Sequence, residues 1–402
     1  MSTAMLRTKA SGLESPANAP MFVCVQCIVD ETVPGANFDE HGVCAYCRLH
    51  DEMAALYPLT PEGEARKLAL VERIKRSGRG KDFDCVVGIS GGRDSTYLLL
   101  LTVQLGLRPL AVHFNDGFGN PVAGENMTKA TEKLGVKLLT ITSDWRESKD
   151  LKIACLKASI PNANMSTDIG LAAALYGAAA RHDLRYVLIG QSFRTEGIAP
   201  LPWNYLDGKH LDAIHRRFGT RNLRPWSPND PGFHLGSREL FYYLVLRRIR
   251  TVPLLYYHNY VRSEVDAVIS SELDWVNPGA HYFDDLYQAL LQQLQRIKFN
   301  IDRRKFNYSA LVRSGQMTRE DALAQTREIY RLEDPKVIDL CIKRLGLTRA
   351  DYEVIMATPP KTFRDYPSGY NTMRLFRPLI GLMATFNLVP KSTYLKYFKY
   401  AC

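Results

Sequence analysis

The sequence has no run of about 18 uncharged apolar residues, so no membrane-spanning helix is expected. Its first 20 residues lack a signal-peptide apolar core, because Met5-Leu6 is followed at once by Arg7 and Lys9, and the expected location is cytoplasmic. Internal repeats and low-complexity blocks are missing, which sets aside solenoid, collagen-like and coiled-coil chains. Acidic residues are in deficit: 42 Asp and Glu against 52 Lys and Arg leave a formal charge of +10. That excess points to an anionic partner, whether nucleic acid, a phosphorylated small molecule or a membrane surface. Cysteine is sparse outside one stretch, with four of the eight between Cys24 and Cys47 and the others, Cys85, Cys155, Cys341 and Cys402, scattered. Without an export signal this reads as a metal site plus incidental thiols, not a disulfide framework.

What is present is an ordinary globular composition, 46% apolar and 23% charged over 402 residues, long enough for two or three domains. Residues 1–20 read as a loose, disordered tail, 21–50 as a Cys-rich metal module and 51–80 as a helical linker. The linker helix is expected near Glu62–Arg76, with Leu68, Leu70, Val71 and Ile74 facing inward. From 81 to 235 apolar runs suited to buried strands (Phe83–Ile89, Leu110–Phe114, Val136–Ile141, Tyr186–Ile189) alternate with helical stretches. Such alternation predicts an α/β fold with a doubly wound parallel sheet, whose ligands bind beyond the carboxyl ends of the strands. From about 236 to 370 the pattern turns helical, including Glu239–Ile249, Ser263–Leu273 and Phe283–Arg296. Residues 371–402 form a basic and apolar tail compatible with peripheral membrane contact.

Two groups of residues carry chemistry. Cys24-x-x-Cys27 and Cys44-x-x-Cys47 are paired knuckles that bring four thiolates to one ion; a closed tetrahedral zinc site, structural and without an open position, is expected. Ser90-Gly91-Gly92-Arg93-Asp94-Ser95-Thr96 follows a strand and opens a helix. Its glycines let the backbone approach a phosphate while the first amides of the helix point at the anion. Ser90, Ser95 and Thr96 add hydroxyls, and Asp94 can hold Mg2+. The Gly-Lys-Ser/Thr ending of a Walker A loop is absent. At other strand ends stand Asn115 and Asp116, candidates for nucleotide contact, then Gly190, then Glu196, a candidate for Mg2+ or acceptor positioning with a helix-cap role as the alternative. Asp168 opens a helix and reads as either a catalytic carboxylate or an N-cap, and His281 reads as a candidate general base. Two basic clusters, Arg216/Arg217/Arg221/Arg224 and Arg296/Lys298/Arg303/Arg304/Lys305, could clamp phosphate or carboxylate groups.

The loop at 90–95 resembles the Ser-Gly-Gly-x-Asp-Ser signature of the PP-loop ATP pyrophosphatases, with Arg93 where lysine is commoner. Within that superfamily the chain is similar to the N-acetyl sugar amidotransferases through Cys24–Cys27, Pro34-Gly35, Phe38-Asp39, Gly42-Val43-Cys44, Thr167-Asp168, Thr195-Glu196-Gly197-Ile198, Ala213-Ile214-His215, Lys298-Phe299, Asp302-Arg303-Arg304 and Ser314-Gly315-Gln316-Met317-Thr318. The resemblance spans roughly 21–370. It implies an adenine nucleotide alpha hydrolase-like domain that uses ATP and Mg2+ beside structural Zn2+. It also implies adenylation of an acetamido oxygen on an N-acetylated sugar derivative and displacement of AMP by ammonia. No cysteine here stands in a Gly-x-Cys-x-Gly elbow, so the resemblance further implies a separate glutaminase with a cyclase-like barrel partner. The stretch Pro278-Gly279-Ala280-His281-Tyr282-Phe283-Asp284 departs from the family's Gly-Gly-Lys-His-x-Glu-Ser, which leaves the acceptor open. The alternatives are sulfur transfer to a tRNA base or nucleotide by the same adenylation, with Cys155 as the nearest persulfide candidate, and a non-catalytic nucleotide-binding scaffold. Nucleic acid ranks behind the sugar acceptor because no RNA-binding appendage is recognisable.

Overall fold

A computed structural model describes residues 22–279, 285–328, 336–385 and 391–399. His281, the tail at 1–20 and Cys402 lie outside the described residues. Two helices, α1 (Ala45–Leu56) and α2 (Pro61–Ser77), lead from the cysteine module into the sheet. In α2 the expected inner face holds at Val71 and Ile74, whereas Leu68 is exposed and Lys67 is buried in its place, paired with Glu64 at 2.8 Å.

The α/β core runs β1 (Cys85–Gly88), α3 (Arg93–Gln104), β2 (Pro109–Asn115), α4 (Pro121–Lys133), β3 (Leu138–Thr142), α5 (Trp145–Lys157), α6 (Met165–Arg181) and β4 (Tyr186–Leu188). After α7 (Gly208–Phe218) and α8 (Ser237–Phe241) comes β5 (Arg250–Val252). The five strands are all parallel in the order β3-β2-β1-β4-β5. β1 pairs with β2 on one side and β4 on the other, so its Cys-Val-Val is buried on both faces, as an apolar central parallel strand requires. One face is covered by Leu98, Leu99, Ile269 and their neighbours, the other by Leu175, Ala178 and Ala179 of α6. Gly, Ala and Ser dominate α6, and this lets it lie close on β1, β2 and β4.

The chain leaves β1 towards β2 and β3, then returns to place β4 on β1's opposite side. That reversal opens a crevice between the carboxyl ends of β1 and β4, the position where open α/β sheets bind ligands.

The C-terminal part comprises α9 (Arg262–Leu273), α10 (Tyr287–Phe299), α11 (Arg304–Arg313), α12 (Arg319–Arg327), α13 (Lys336–Arg344), α14 (Arg349–Ala357), α15 (Tyr370–Leu375), α16 (Arg377–Thr385) and α17 (Lys391–Tyr394). No helix among the described residues is long and apolar enough to cross a membrane.

The helical expectation for 239–249 is corrected: α8 ends at Phe241, a widened π turn follows over Tyr242–Leu246, and the chain then re-enters the sheet as β5. A three-residue edge strand reading Arg-Thr-Val carries too little apolar signal to be read from sequence. α5 escapes for another reason. Glu147, Ser148, Asp150 and Lys152 lie on its buried side, which erases the apolar periodicity of the helix.

Candidate active site

The loop after β1 begins at Ile89 and closes on itself. Ser95 Oγ accepts from the Ser90 amide at 3.1 Å, lies 3.1 Å from Ser90 Oγ and donates to the Gly92 carbonyl at 3.2 Å. Gly91 adopts φ +80°, and a Cβ there would lie 1.9 Å from the Ala123 carbonyl oxygen, so no other residue fits. Its own carbonyl is held outward by Asn126 Nδ2 at 3.2 Å and Trp275 Nε1 at 3.0 Å. The amides at the start of α3 are thus left facing the crevice, an arrangement suited to a phosphate. Gly190, just past β4, is equally constrained: a Cβ would meet the Asp94 carbonyl and the Ser95 amide at 2.9 Å, so the turn after β4 touches the start of α3. Arg93 turns away and forms a forked ion pair with Asp266 of α9, Nη2 to Oδ2 at 2.8 Å.

Carboxyl groups meet at the same point. Asp94 accepts from the Tyr260 hydroxyl and is hydrogen-bonded to Glu196. Burial, then the charge of Asp94, pushes the Glu196 carboxyl well above the usual range, with Arg262 opposing. Burial and Asp94 likewise push the Tyr260 phenol up, so it stays a donor. Thr96 Oγ1, Ser192 Oγ, Thr195 Oγ1 and Arg262 Nε are buried without a hydrogen-bond partner. Each such group costs about 1–3 kcal/mol. They fall in α3, the loop after β4 and the start of α9, the segments that meet around Asp94 and Glu196. Two adjacent carboxylates beside a phosphate loop also suit a divalent cation. Arg262, Tyr260 and Asp266 carried no sequence signal, since they come from a segment more than 160 residues beyond the loop.

Asp116 and Asn115 end β2 at the same edge of the sheet. Asn115 Oδ1 caps its own turn through the Gly117 amide at 3.0 Å. Asp116 is fully engaged: Oδ2 lies 2.8 Å from Lys152 Nζ and accepts from Thr167 Oγ1 at 2.6 Å, while Oδ1 takes the Phe118 amide. Lys152 is itself fully buried, bonded to Asn164 Oδ1 and Thr167 Oγ1 and 4.1 Å from the Tyr287 ring centre. Breaking such a pair from one side leaves a bare buried charge. Lys152→Met is expected to lower unfolding stability by about 3–5 kcal/mol, and a companion Asp116→Asn to restore part of the loss, as read by urea denaturation.

Asp168 lies within the first turn of α6, whose N-cap position falls to Asn164. Burial pushes its carboxyl up to about 6 against the pull of Arg303, Lys152 and Lys396 and a hydrogen bond with Asn162. Burial lowers Lys396 to about 8, with Asp168 opposing. A carboxylate and ammonium of this kind are both charged between those two values. The second basic cluster is largely spent on the protein: Arg304 on Asp302 and on the carbonyls of Gln325 and Glu328, Lys305 on Asp30, Arg303 on Gln295. In the first, Arg224 pairs with Glu147 and Asp230.

Cys24, Cys27, Cys44 and Cys47 are buried with their sulfurs all within 4.8 Å of one another. Three spacings are 3.8, 3.7 and 3.7 Å. A tetrahedron with 2.3 Å metal–sulfur bonds has edges of about 3.8 Å, so the cluster fits one metal ion. Arg313 donates to Cys47 Sγ at 3.2 Å and Cys27 Sγ at 3.3 Å, and Arg319 to the carbonyls of Cys24 and Cys27. Beyond Arg313, Ser314 Oγ donates to the Arg194 carbonyl at 2.8 Å. Gln316 then bridges the Tyr260 carbonyl and the Arg262 amide at 2.9 Å each. The turn between α11 and α12 thus touches both the cysteine module and the segments beside Asp94 and Glu196.

Residues 281–379 match the family model of the LPS biosynthesis protein WbpG-like, C-terminal domain. No curated protein matches the chain. Among solved structures 32 chains match. One is the U34-tRNA thiolase NcsA from Methanococcus maripaludis with its 4Fe-4S cluster, 12% identical, covering 81% of this chain and 98% of its own at a TM-score of 0.31. The described residues thus combine a Cys-rich N-terminal module with a five-stranded parallel sheet, and residues 281–379 are similar to the WbpG-like C-terminal domain.

Proposed function

We propose that this protein is an ATP-dependent amidotransferase that converts the acetamido group of an N-acetylated sugar derivative into an acetamidino group during surface polysaccharide synthesis. The observation that carries the reading is the meeting of phosphate loop and carboxyl pair at the β1/β4 crevice, in a chain with a WbpG-like C-terminal domain. In this reading the acetamido oxygen attacks the α-phosphorus of ATP, the bond to the β-phosphate oxygen breaks and pyrophosphate leaves. Ammonia then attacks the imidate carbon, the carbon–oxygen bond breaks and AMP leaves with that oxygen. The surplus proton on nitrogen passes to Asp168, whose carboxyl, held at about 6, suits a base near neutrality.

The loop amides with Ser90 and Ser95 would hold the departing pyrophosphate. Bound to Asp94 and Glu196, Mg2+ would supply charge neutralisation. A zinc ion held by the four cysteines would be structural, having no open position. Ammonia would come from a separate glutaminase with its barrel partner.

The test follows pyrophosphate and AMP release with ammonium across a panel of N-acetylated sugar nucleotides, with tRNA plus sulfide in parallel. Acceptor-dependent release with oxygen replaced by NH in the acceptor's mass supports the reading. Oxygen replaced by sulfur on RNA overturns it in favour of thiolation, and silence from every acceptor leaves the proposal without support. Sulfur transfer would call on a reactive thiol, yet Cys155 is fully buried and its thiol is pushed up to about 12 by burial. Cys155→Ser is accordingly expected to keep turnover within about twofold, and loss of turnover would favour the sulfur route.

A further inference from the structure

A cavity of about 320 Å³, sharing no lining residue with the site above, runs along the free edge of β5. Its walls come from distant parts of the chain: the end of α1, one face of α2, the starts of β4 and β5, and α17. Four cations line it, Arg66, Arg73, Arg250 and Lys391, and no carboxylate does. Arg66 is paired with Glu62 on the helix surface at 2.6 Å. Arg73, Arg250 and Lys391 have no side-chain ion pair among the described residues. Apart from Thr251 the rest of the lining is aliphatic or aromatic, including Tyr57 and Tyr257, whose rings stand perpendicular at 4.9 Å.

Cations gathered around one concavity without an anion repel each other, and the low-dielectric walls magnify the effect. An incoming anion relieves that repulsion. The volume lies at the lower limit of small-molecule pockets, about 300–1,000 Å³, so it suits a molecule of nucleotide size and no polymer. Two arginine forks and a lysine match the several oxygens and multiple charge of a diphosphate, where a single carboxylate would leave cations unsatisfied. The tyrosine rings and aliphatic wall would take an organic group attached to it. We infer that this cavity is a second binding site, for an organic diphosphate of nucleoside diphosphate size, separate from the phosphate loop.

Titration calorimetry of the full chain with UDP, and separately with inorganic pyrophosphate, tests it. UDP is expected to bind more tightly than pyrophosphate, because only UDP offers a group for the rings. Arg250→Glu and Arg73→Glu are each expected to weaken UDP at least about tenfold, while Ser95→Ala in the phosphate loop leaves it unchanged. Arg73 is on the exposed side of α2, so its variant reports on charge without disturbing the core, and circular dichroism checks both. Absence of saturable UDP binding at millimolar concentration, indifference to both arginine variants, or loss of binding in Ser95→Ala would each overturn the inference. Pyrophosphate binding as tightly as UDP would also overturn it, reducing the site to a simple anion hole.

Discussion

Asp94→Asn is expected to slow acceptor-dependent pyrophosphate release by about 10²–10³-fold, because the cation that would neutralise the phosphate charge loses a carboxylate ligand. Folding should be nearly unaffected. An asparagine can still accept from the Tyr260 hydroxyl, and the Glu196 carboxyl loses the negative neighbour that now pushes it upward. The same geometry gives the pH behaviour. Glu196 is half-buried beside Asp94 and binds its proton more firmly than an ordinary glutamate. A divalent cation must displace that proton, so the Mg2+ concentration for half-maximal rate should rise as pH falls, and this dependence should flatten in Glu196→Gln. For stability the sign runs the other way. A carboxyl raised in the folded state favours folding while protonated, and its contribution is lost as pH rises through the folded value. Glu196→Gln should therefore match the wild type at low pH and exceed it in alkali, though its turnover falls. Steady-state rates against Mg2+ at several pH values, with thermal melts of the same samples, separate the two effects; an unchanged rate in Asp94→Asn would remove the pair from catalysis.

Stripping the cysteine cluster of its metal, or replacing Cys27 by Ser, is expected to cost at least about 3–5 kcal/mol, because Arg313 then loses thiolate charge that balances its own. The damage should reach the active site. Arg319 clamps the carbonyls of Cys24 and Cys27, and Ser309 accepts from the Ile28 amide, so loosening the knuckles loosens α11 and α12. The turn between those helices carries Ser314 and Gln316, which hold the Arg194, Tyr260 and Arg262 backbones. Melting temperature and pyrophosphate release should fall together on chelation and recover together on adding zinc. Metal analysis should return one ion per chain. Iron with a visible charge-transfer band would contradict the zinc assignment, and undiminished activity after complete removal would contradict the coupling.

The parts of this molecule that were legible in its sequence are those fixed by local pattern. Val86 and Val87 followed by Ser90-Gly91-Gly92 announce a buried strand and a tight glycine turn, because both faces of a central strand must be apolar and only glycine tolerates the approach of the Ala123 carbonyl at 91. The cysteine knuckles are local in the same way. What escaped depends on distance along the chain. Lys152 reads as a surface lysine until Asp116 and Thr167 fold around it, and Tyr260 and Arg262 gain meaning only when α9 packs against α3. Arg304 and Lys305 look like ligand clamps in isolation, yet Asp302 and Asp30 engage them.

The two polar centres at the sheet's carboxyl edge differ in where their residues come from. At the loop after β1 the stretches 89–96 and 190–196 meet directly at Gly190, where no side chain fits, and α9 with the segment before it adds Tyr260, Arg262 and Asp266. Around Asp168 the charged groups arrive from α5, the segment before α11 and the C-terminal turn bearing Lys396. On the proposed reading the two centres therefore have unequal freedom: substitutions in the last hundred or so residues, which supply Arg303 and Lys396, alter the surroundings of Asp168 and leave the loop at 89–96 untouched.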